Sequence, residues 1–335
     1  MSSSSEILII GAGVLGLATA VELTVRGRRV TVVDPGGDNA SSVAAGMIAP
    51  ALECALENVT RERADLLRDA RDLWPDFAER AGIALSAEGS EWCGPDAAAV
   101  GERLLSLGFA AWVENGVAAT PDDWRVEAAP ALAALRAYPG VRVRTGRVAE
   151  LAREGARWEA RLQSGEVVGA RIVVLATGPE AAIPGLTPAA ARIIGLIRPI
   201  RGQLEQIYGR QVERMRRGPG AYVAPMTDGV LVGASMDFDR RDLAPDSVQA
   251  KRMIEAAGRF FDLTSVGVRR TRVGVRGASP DGLPLAGALG EGLFAALAPR
   301  RNGWLLAPAV ARTVAAVIAG EPKTAFSAAF DPLRF

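Results

Sequence analysis

Gly11, Gly13 and Gly16 follow the apolar run Ile7-Leu8-Ile9-Ile10 in the spacing G-x-G-x-x-G, and Asp34 closes a second run, Arg29-Val30-Thr31-Val32-Val33. Each residue type has a physical task. Gly11 allows a tight turn, Gly13 lets backbone N–H groups approach a pyrophosphate, and Gly16 lets a helix pack closely on a strand. Val14 and Leu15 open that helix, whose N-terminus favours the negative charge of a diphosphate. Asp34 is placed to accept hydrogen bonds from a ribose. This chemistry is dinucleotide binding, and the spacing alone leaves NAD and FAD both open.

What is missing from the chain narrows the chemistry further. The sequence has no histidine. That removes Ser-His-Asp and Cys-His catalysis, histidine metal ligands and histidine proton shuttles. Cys54 and Cys93 are too few for a disulfide framework or a cysteine-rich zinc site, so no metal site is expected. An enzyme built this way leaves its hard chemistry to an organic cofactor. Net charge is +1 with no basic tract, which argues against a nucleic acid or an anionic membrane as partner. Among the 39 basic residues only Lys251 and Lys323 are lysines, which fits coding bias in an Ala- and Gly-rich chain.

The first strand is expected by about residue 6, which leaves no room for a signal peptide, and the two cysteines fit a reducing compartment. The expected localisation is cytoplasmic. The longest apolar segment, Trp304 to Gly320, contains Arg312 and reads as a buried helix rather than a membrane span.

The elements that must position these residues follow from their patterns. Ser41 to Pro50 reads as a loop of small residues that lets backbone approach a flat ligand. Ala64, Leu67, Ala70, Leu73 and Phe77 set a helix over 58–81. A second helix covers Asp96 to Leu107, and Asp123 or a neighbour caps a third over Arg125 to Tyr138. Val141–Val143, Arg147–Leu151, Arg157–Leu162 and Glu166–Val168 form strands with polar turns. Arg171 to Gly178 is an apolar strand of a parallel sheet, ending in a small-residue turn. Strands follow at Gly202–Ile207, Ala221–Ala224, Val230–Gly233, Thr271–Arg276 and Gly292–Leu297, with helices over Ser247–Phe261 and 303–319. The fold class is α/β with two domains: a Rossmann-like nucleotide domain from 1–54, 139–190 and 276–335, and a domain with a mainly antiparallel sheet from 55–138 and 191–275.

Four segments together resemble a known family. They are the Gly-rich unit with Asp34, the Ser41–Pro50 loop, the strand ending Ala176-Thr177-Gly178, and a C-terminal pair. That pair is Gly274-Val275-Arg276-Gly277-Ala278-Ser279-Pro280-Asp281-Gly282-Leu283-Pro284 and Arg301-Asn302-Gly303-Trp304-Leu305-Leu306-Ala307-Pro308. The sequence resembles the FAD-dependent amino-acid oxidase superfamily that includes D-amino-acid oxidase and sarcosine oxidase, and most of all its glycine oxidase branch, which serves thiamine biosynthesis. It is this resemblance that favours FAD over NAD.

The resemblance implies roles. Arg276 would grip the substrate carboxylate through a two-pronged guanidinium, a task suited to arginine, and would lie beside the flavin. Tyr222 would donate a second hydrogen bond, and Arg301 would line the pocket. Ser42, Ala44, Ala45, Gly46, Met47, Val148, Thr177, Gly178, Asn302, Gly303, Trp304 and Leu305 would join Gly11, Gly13, Val14, Leu15, Gly16 and Asp34 around a non-covalent FAD. No cysteine follows Cys93, so the C-terminal covalent attachment of the sarcosine oxidase branch is not expected.

Two positions depart from the family. Ala298-Pro299-Arg300 replaces a common Gly-His before the Arg-Asn-Gly turn, and Trp304 stands where a smaller aliphatic residue is usual. The implied activity is oxidation of glycine or another small amino acid or amine by hydride transfer to flavin N5, through an imine, with oxygen as acceptor and hydrogen peroxide as product. A dehydrogenase for a D-amino acid or secondary amine that passes electrons to a quinone, and a flavin-binding protein without turnover, are the alternatives. Self-association is left open.

Overall fold

The structure is a computed structural model that describes residues 3–4, 6–180, 182–264 and 269–335. Its first sheet orders the strands Val141–Thr145, Val30–Asp34, Ile7–Ile10, Ile172–Leu175, Leu293–Leu297 and Leu285–Gly290. The first five run parallel, and the last pairs antiparallel at the edge. Ile7, Leu8 and Ile9 are fully buried because both faces of the sheet are covered, which is why this strand is continuously apolar. Ile7 and Ile9 face the helices Val14–Val25 and Gly303–Ala319, whereas Leu8 and Ile10 face a three-stranded meander and the helix Pro188–Ile194.

The second sheet is built on the long strand Arg198–Tyr208. Arg269–Ala278 runs antiparallel along one side of it, and Gly229–Gly233 along the other. Ala221–Met226, Met215–Gly218, Ser90–Trp92, Val117–Thr120 and Trp112–Glu114 extend the sheet outward. Pairing is antiparallel except between Met215–Gly218 and Ser90–Trp92. No described helix is long and apolar enough to cross a membrane.

Several local expectations change. The single helix over 58–81 is two, Arg61–Asp72 and Trp74–Ala81, which meet at Leu73. Pro75 explains the break: it lacks an N–H and fits only the first turn of a helix. Both helices pack into the core that holds Val14–Val25 and Gly303–Ala319, and the Trp74 indole N–H donates to the Leu305 carbonyl at 3.1 Å.

The segment 41–50 is less of a loop than its small residues suggest. It includes most of a short helix, Ala40–Val43, and a strand, Met47–Ile48, and it leads into the helix Pro50–Glu57. Asp123 caps this last helix rather than one over 125–138. Its carboxylate accepts from Ala51 N–H at 2.7 Å, from Leu52 N–H at 3.2 Å and from the Ser90 hydroxyl at 2.6 Å, all fully buried. Residues 124–126 form a strand against Met47–Ile48, and the helix that follows is Ala128–Arg136.

Candidate active site

A cleft of about 480 Å³ opens where the parallel strands end and the helices Val14–Val25 and Gly303–Ala319 begin. Gly11 turns the chain at φ +111°, and a Cβ there would lie 2.7 Å from the carbonyl carbon of Ala176 on the neighbouring strand connection. At Gly16 a Cβ would collide with the Gly11 carbonyl, so this glycine sets the approach of helix to strand and does not line the cleft. Asp34 accepts from the N–H of Ala12 at 2.7 Å and of Gly36 at 2.8 Å, which braces the turn while its carboxylate still borders the cleft. Val14 N–H donates to the Ser41 hydroxyl at 3.0 Å.

Further along the cleft lie Leu15, Val148, Thr177, Gly178, Gly303 and Trp304. The Thr177 hydroxyl is buried there without a hydrogen-bond partner. A buried polar atom of this kind calls for a ligand or water. A long cleft with two helix N-termini, an orphan hydroxyl and an acid at one end is suited to a dinucleotide.

A second cavity, of about 220 Å³, adjoins the first through Ala40, Ala44, Gly274, Arg276, Arg301 and Trp304, which line both. One wall is a face of the second sheet. Gly202, Gly233 and Gly274 leave it hollow, with Tyr222 and Arg276 standing over it. A Cβ on Gly202 would lie 2.6 Å from Cζ of Arg276, and one on Gly233 would lie 2.6 Å from Cζ of Tyr222. Each aromatic or guanidinium group thus occupies the space its glycine neighbour leaves.

Arg276 is half-buried, and its guanidinium has no hydrogen-bond or ion-pair partner among the described residues. Burial draws its proton affinity down and the Tyr222 hydroxyl offsets this, but an arginine stays charged. Burial pushes the Tyr222 phenol up, with Arg276 and Arg217 pulling the other way. At neutral pH it therefore keeps its proton and can donate it in a hydrogen bond.

The remaining wall comes from Ala44, Ala45, Gly46 and Met47 and from the helix Pro50–Glu57. Gly46 is a tight fit, because a Cβ would strike the Val126 carbonyl. Arg301 is paired with Glu53, and also with Glu57 at 3.1 Å, while Arg300 holds Glu57 at 2.7 and 2.8 Å. The Ala298-Pro299-Arg300 segment is pinned by Arg300 N–H to the Gly277 carbonyl at 2.9 Å. Trp304 is 3% exposed, rests on Trp74 with ring centroids 6.3 Å apart, and donates to the Ser41 carbonyl at 3.2 Å. Its bulk is mainly core packing, with one edge on each cavity.

Not every residue singled out from the sequence reaches the cavities. Ser42 lines neither; it closes a capping box with Asn39, and its neighbour Ser41 faces the cleft. Leu305 is buried in the core and lines neither cavity. Among the residues at the site that were not singled out are Ser41, Glu53 and Arg217, and the wall glycines Gly202, Gly233 and Gly274. The pair Glu53 and Glu57, four residues apart on a helix, was a usable signal for two acids on one face. Arg217 carried none, because nothing in Arg216-Arg217 says which of the two points inward. Cys54, beside Glu53, is fully buried, and burial together with the Glu53 and Asp123 charges pushes its thiol up to about 12. It is an inert packing thiol.

The chain matches the family described as FAD dependent oxidoreductase (DAO) over residues 6–317. It belongs to that family. Among curated relatives it is 28% identical to a glycine oxidase of Pseudomonas aeruginosa, aligned over 98% of this chain and 99% of that one. It is 28% identical to a bifunctional protein ThiO/ThiG of Synechocystis, over all of this chain and 55% of that one. To a tRNA 5-methylaminomethyl-2-thiouridine biosynthesis bifunctional protein MnmC of Idiomarina loihiensis it is 27% identical, over 94% of this chain and 56% of that one. The chain thus spans a little more than half of the two bifunctional relatives.

Its fold superposes on the crystal structure of glycine oxidase from Geobacillus kaustophilus with a TM-score of 0.84 at 24% identity, each chain fully covered. As a member of this family the protein is an FAD-dependent oxidoreductase, and its sequence is glycine oxidase-like. The dinucleotide that the Gly-rich unit left undetermined is therefore FAD.

Proposed function

We propose that the protein oxidises a small amino acid or amine, glycine or a near relative, at the bond between its carbon and its nitrogen. The observation that carries this reading is Arg276: a charged guanidinium without a partner in the wall of a small cavity, beside a protonated tyrosine and next to the dinucleotide cleft. A charge drawn partly out of water and left unpaired is costly, so the site is complementary to a carboxylate.

In this reading FAD lies along Gly11, Gly13, Val14, Leu15, Asp34, Val148, Thr177 and Gly178, in a nucleotide unit formed by 1–54, 139–190 and 276–335. Bound there, FAD would supply the two-electron sink, taking a hydride from the carbon and returning the electrons to oxygen as peroxide. Arg276 and Tyr222 fix the carboxylate, which aims the adjacent carbon–hydrogen bond. The start of the helix Gly303–Ala319 has no side-chain cap. Its free N–H groups favour negative charge developing at the junction of the two cavities. The substrate loses two electrons and two protons in all, and the imine product hydrolyses in water. No side-chain base is needed, in keeping with the absence of histidine. With glycine as the substrate, its imine would suit thiamine thiazole formation, a role supported by the likeness to ThiO/ThiG.

The test is turnover of the FAD-loaded protein in air. Hydrogen peroxide is expected in equal amount to oxygen consumed and amine lost. Turnover only with an added quinone or dye would make the protein a dehydrogenase instead.

A further inference from the structure

The cavity wall holds more positive charge than a simple amino acid can neutralise. Its ionised residues are Arg217, Arg276, Arg301 and Glu53. Glu53, 4% exposed, is engaged closely by Arg301 and stands 3.7 Å from Nη1 of Arg217. Glu57, outside the cavity, is shared by Arg300 at 2.7 Å and Arg301 at 3.1 Å. Arg217 is itself 9% exposed, its Nε has no hydrogen-bond partner, and its Nη2 meets only the Met47 sulfur at 3.3 Å. Asp123 is near enough to feel its charge, but it lies behind the wall with its oxygens committed to Ala51, Leu52 and Ser90, and it makes no ion pair. Two guanidiniums, Arg276 and Arg217, are thus short of anionic partners.

The sheet sets them on opposite sides of one hollow. Arg217 pairs with Tyr222 across neighbouring strands, Tyr222 with Gly233, and Gly233 with Leu204; Ile200, four residues back on that strand and so on the same face, pairs with Arg276. Residues directly opposite in antiparallel strands share a face, so these side chains look into the same space. Four strand spacings of ~4.8 Å across the sheet, roughly 19 Å, and four residues along it, roughly 13 Å, put the two backbones about 23 Å apart, and both side chains line the cavity. Both act on the Tyr222 hydroxyl electrostatically. The cavity of about 220 Å³ is lined by both side chains and has room for a compact molecule.

We infer that the substrate carries two carboxylates: an amino acid or secondary amine whose first carboxylate binds Arg276 and Tyr222 and whose second binds Arg217. The inference rests on the reading of this cavity as the amine-oxidising site, and it names Arg217 as a specificity-determining residue. A doubly anionic substrate balances the two under-partnered guanidiniums. Glycine would leave Arg217 buried without a full partner.

The test compares kcat/KM of the FAD-loaded enzyme for D-aspartate, L-aspartate and iminodiacetate with that for glycine and sarcosine. At least one dicarboxylate is expected to exceed both monocarboxylates by tenfold or more. Arg217→Leu should cut that preference ratio at least thirtyfold, and Arg217→Lys should restore part of it. A second measurement needs no turnover: malonate should bind the FAD-loaded protein at least ten times more tightly than acetate, read from the flavin absorption band and from the rise in Tm at matched ionic strength. Arg217→Leu should abolish that difference.

Equal binding of malonate and acetate, or a preference ratio unchanged in a folded Arg217→Leu protein, would overturn the inference. Oxidation of glycine in preference to every dicarboxylate would overturn it while leaving amine oxidation intact. If no amine reduces the flavin, the amine-oxidising reading fails, and the malonate measurement alone decides whether the two arginines form a dianion site.

Discussion

Arg276→Ala is expected to raise KM for carboxylate-bearing amines by roughly 30- to 1000-fold, with FAD retained. The magnitude is that of a charge-assisted, partly buried hydrogen-bond pair, about 2–4 kcal/mol, converted at 1.4 kcal/mol per decade. Retention of FAD is the informative part. Arg276 touches the cleft at its junction with the smaller cavity, and no described residue depends on its guanidinium for a hydrogen bond. Steady-state kinetics with flavin content measured on the same preparation checks this. An unchanged KM would remove Arg276 from the substrate site. Loss of flavin would make it a cofactor residue first.

The second large effect is at Gly11. Gly11→Ala is expected to lower stability by about 2–6 kcal/mol, combining overpacking and left-handed strain, and to abolish FAD retention. The added methyl collides with the carbonyl of Ala176, and there is little room to yield. Ala176 N–H donates to Ile10 O at 2.8 Å and Gly11 N–H to Val33 O at 2.8 Å, so three strands meet there. Gly27→Ala is the control: it also sits at positive φ, +75°, but has open space around it, so only the conformational cost of about 1–2 kcal/mol applies. Thermal unfolding of the two variants separates close approach from φ strain. Equal shifts would mean the strand connection at Ala176 relaxes freely.

Legibility in the sequence followed the range of the forces involved. The Gly-rich unit, the strand Ile172–Leu175 and the helix Gly303–Ala319 declare themselves through local periodicity and turn chemistry. Arg276 and Tyr222 were reached through motif likeness, and the structure brings them to one cavity. What escaped depends on distant partners or on very short elements. Asp123 reads as the start of its own helix, yet its carboxylate caps one about 70 residues earlier, and nothing local distinguishes those two uses. Ser42 and Ser41 are equivalent as residue types; the capping box with Asn39 takes one and leaves the other facing the cleft. Glu53 and Arg217 become neighbours only when a helix and a strand from different parts of the chain meet. Strands of two or three residues, such as Met47–Ile48 and Ser90–Trp92, are too short to show alternation.

The central claim is that an amine anchored by its carboxylate in the small cavity reduces the FAD in the adjoining cleft. Anaerobic mixing of the FAD-loaded protein with a panel of small mono- and dicarboxylic amino acids tests it most directly. The account predicts that at least one of them bleaches the yellow flavin absorption within the time of a turnover, and that Arg276→Ala slows this at low substrate. Bleaching by dithionite but by none of the amines would contradict it.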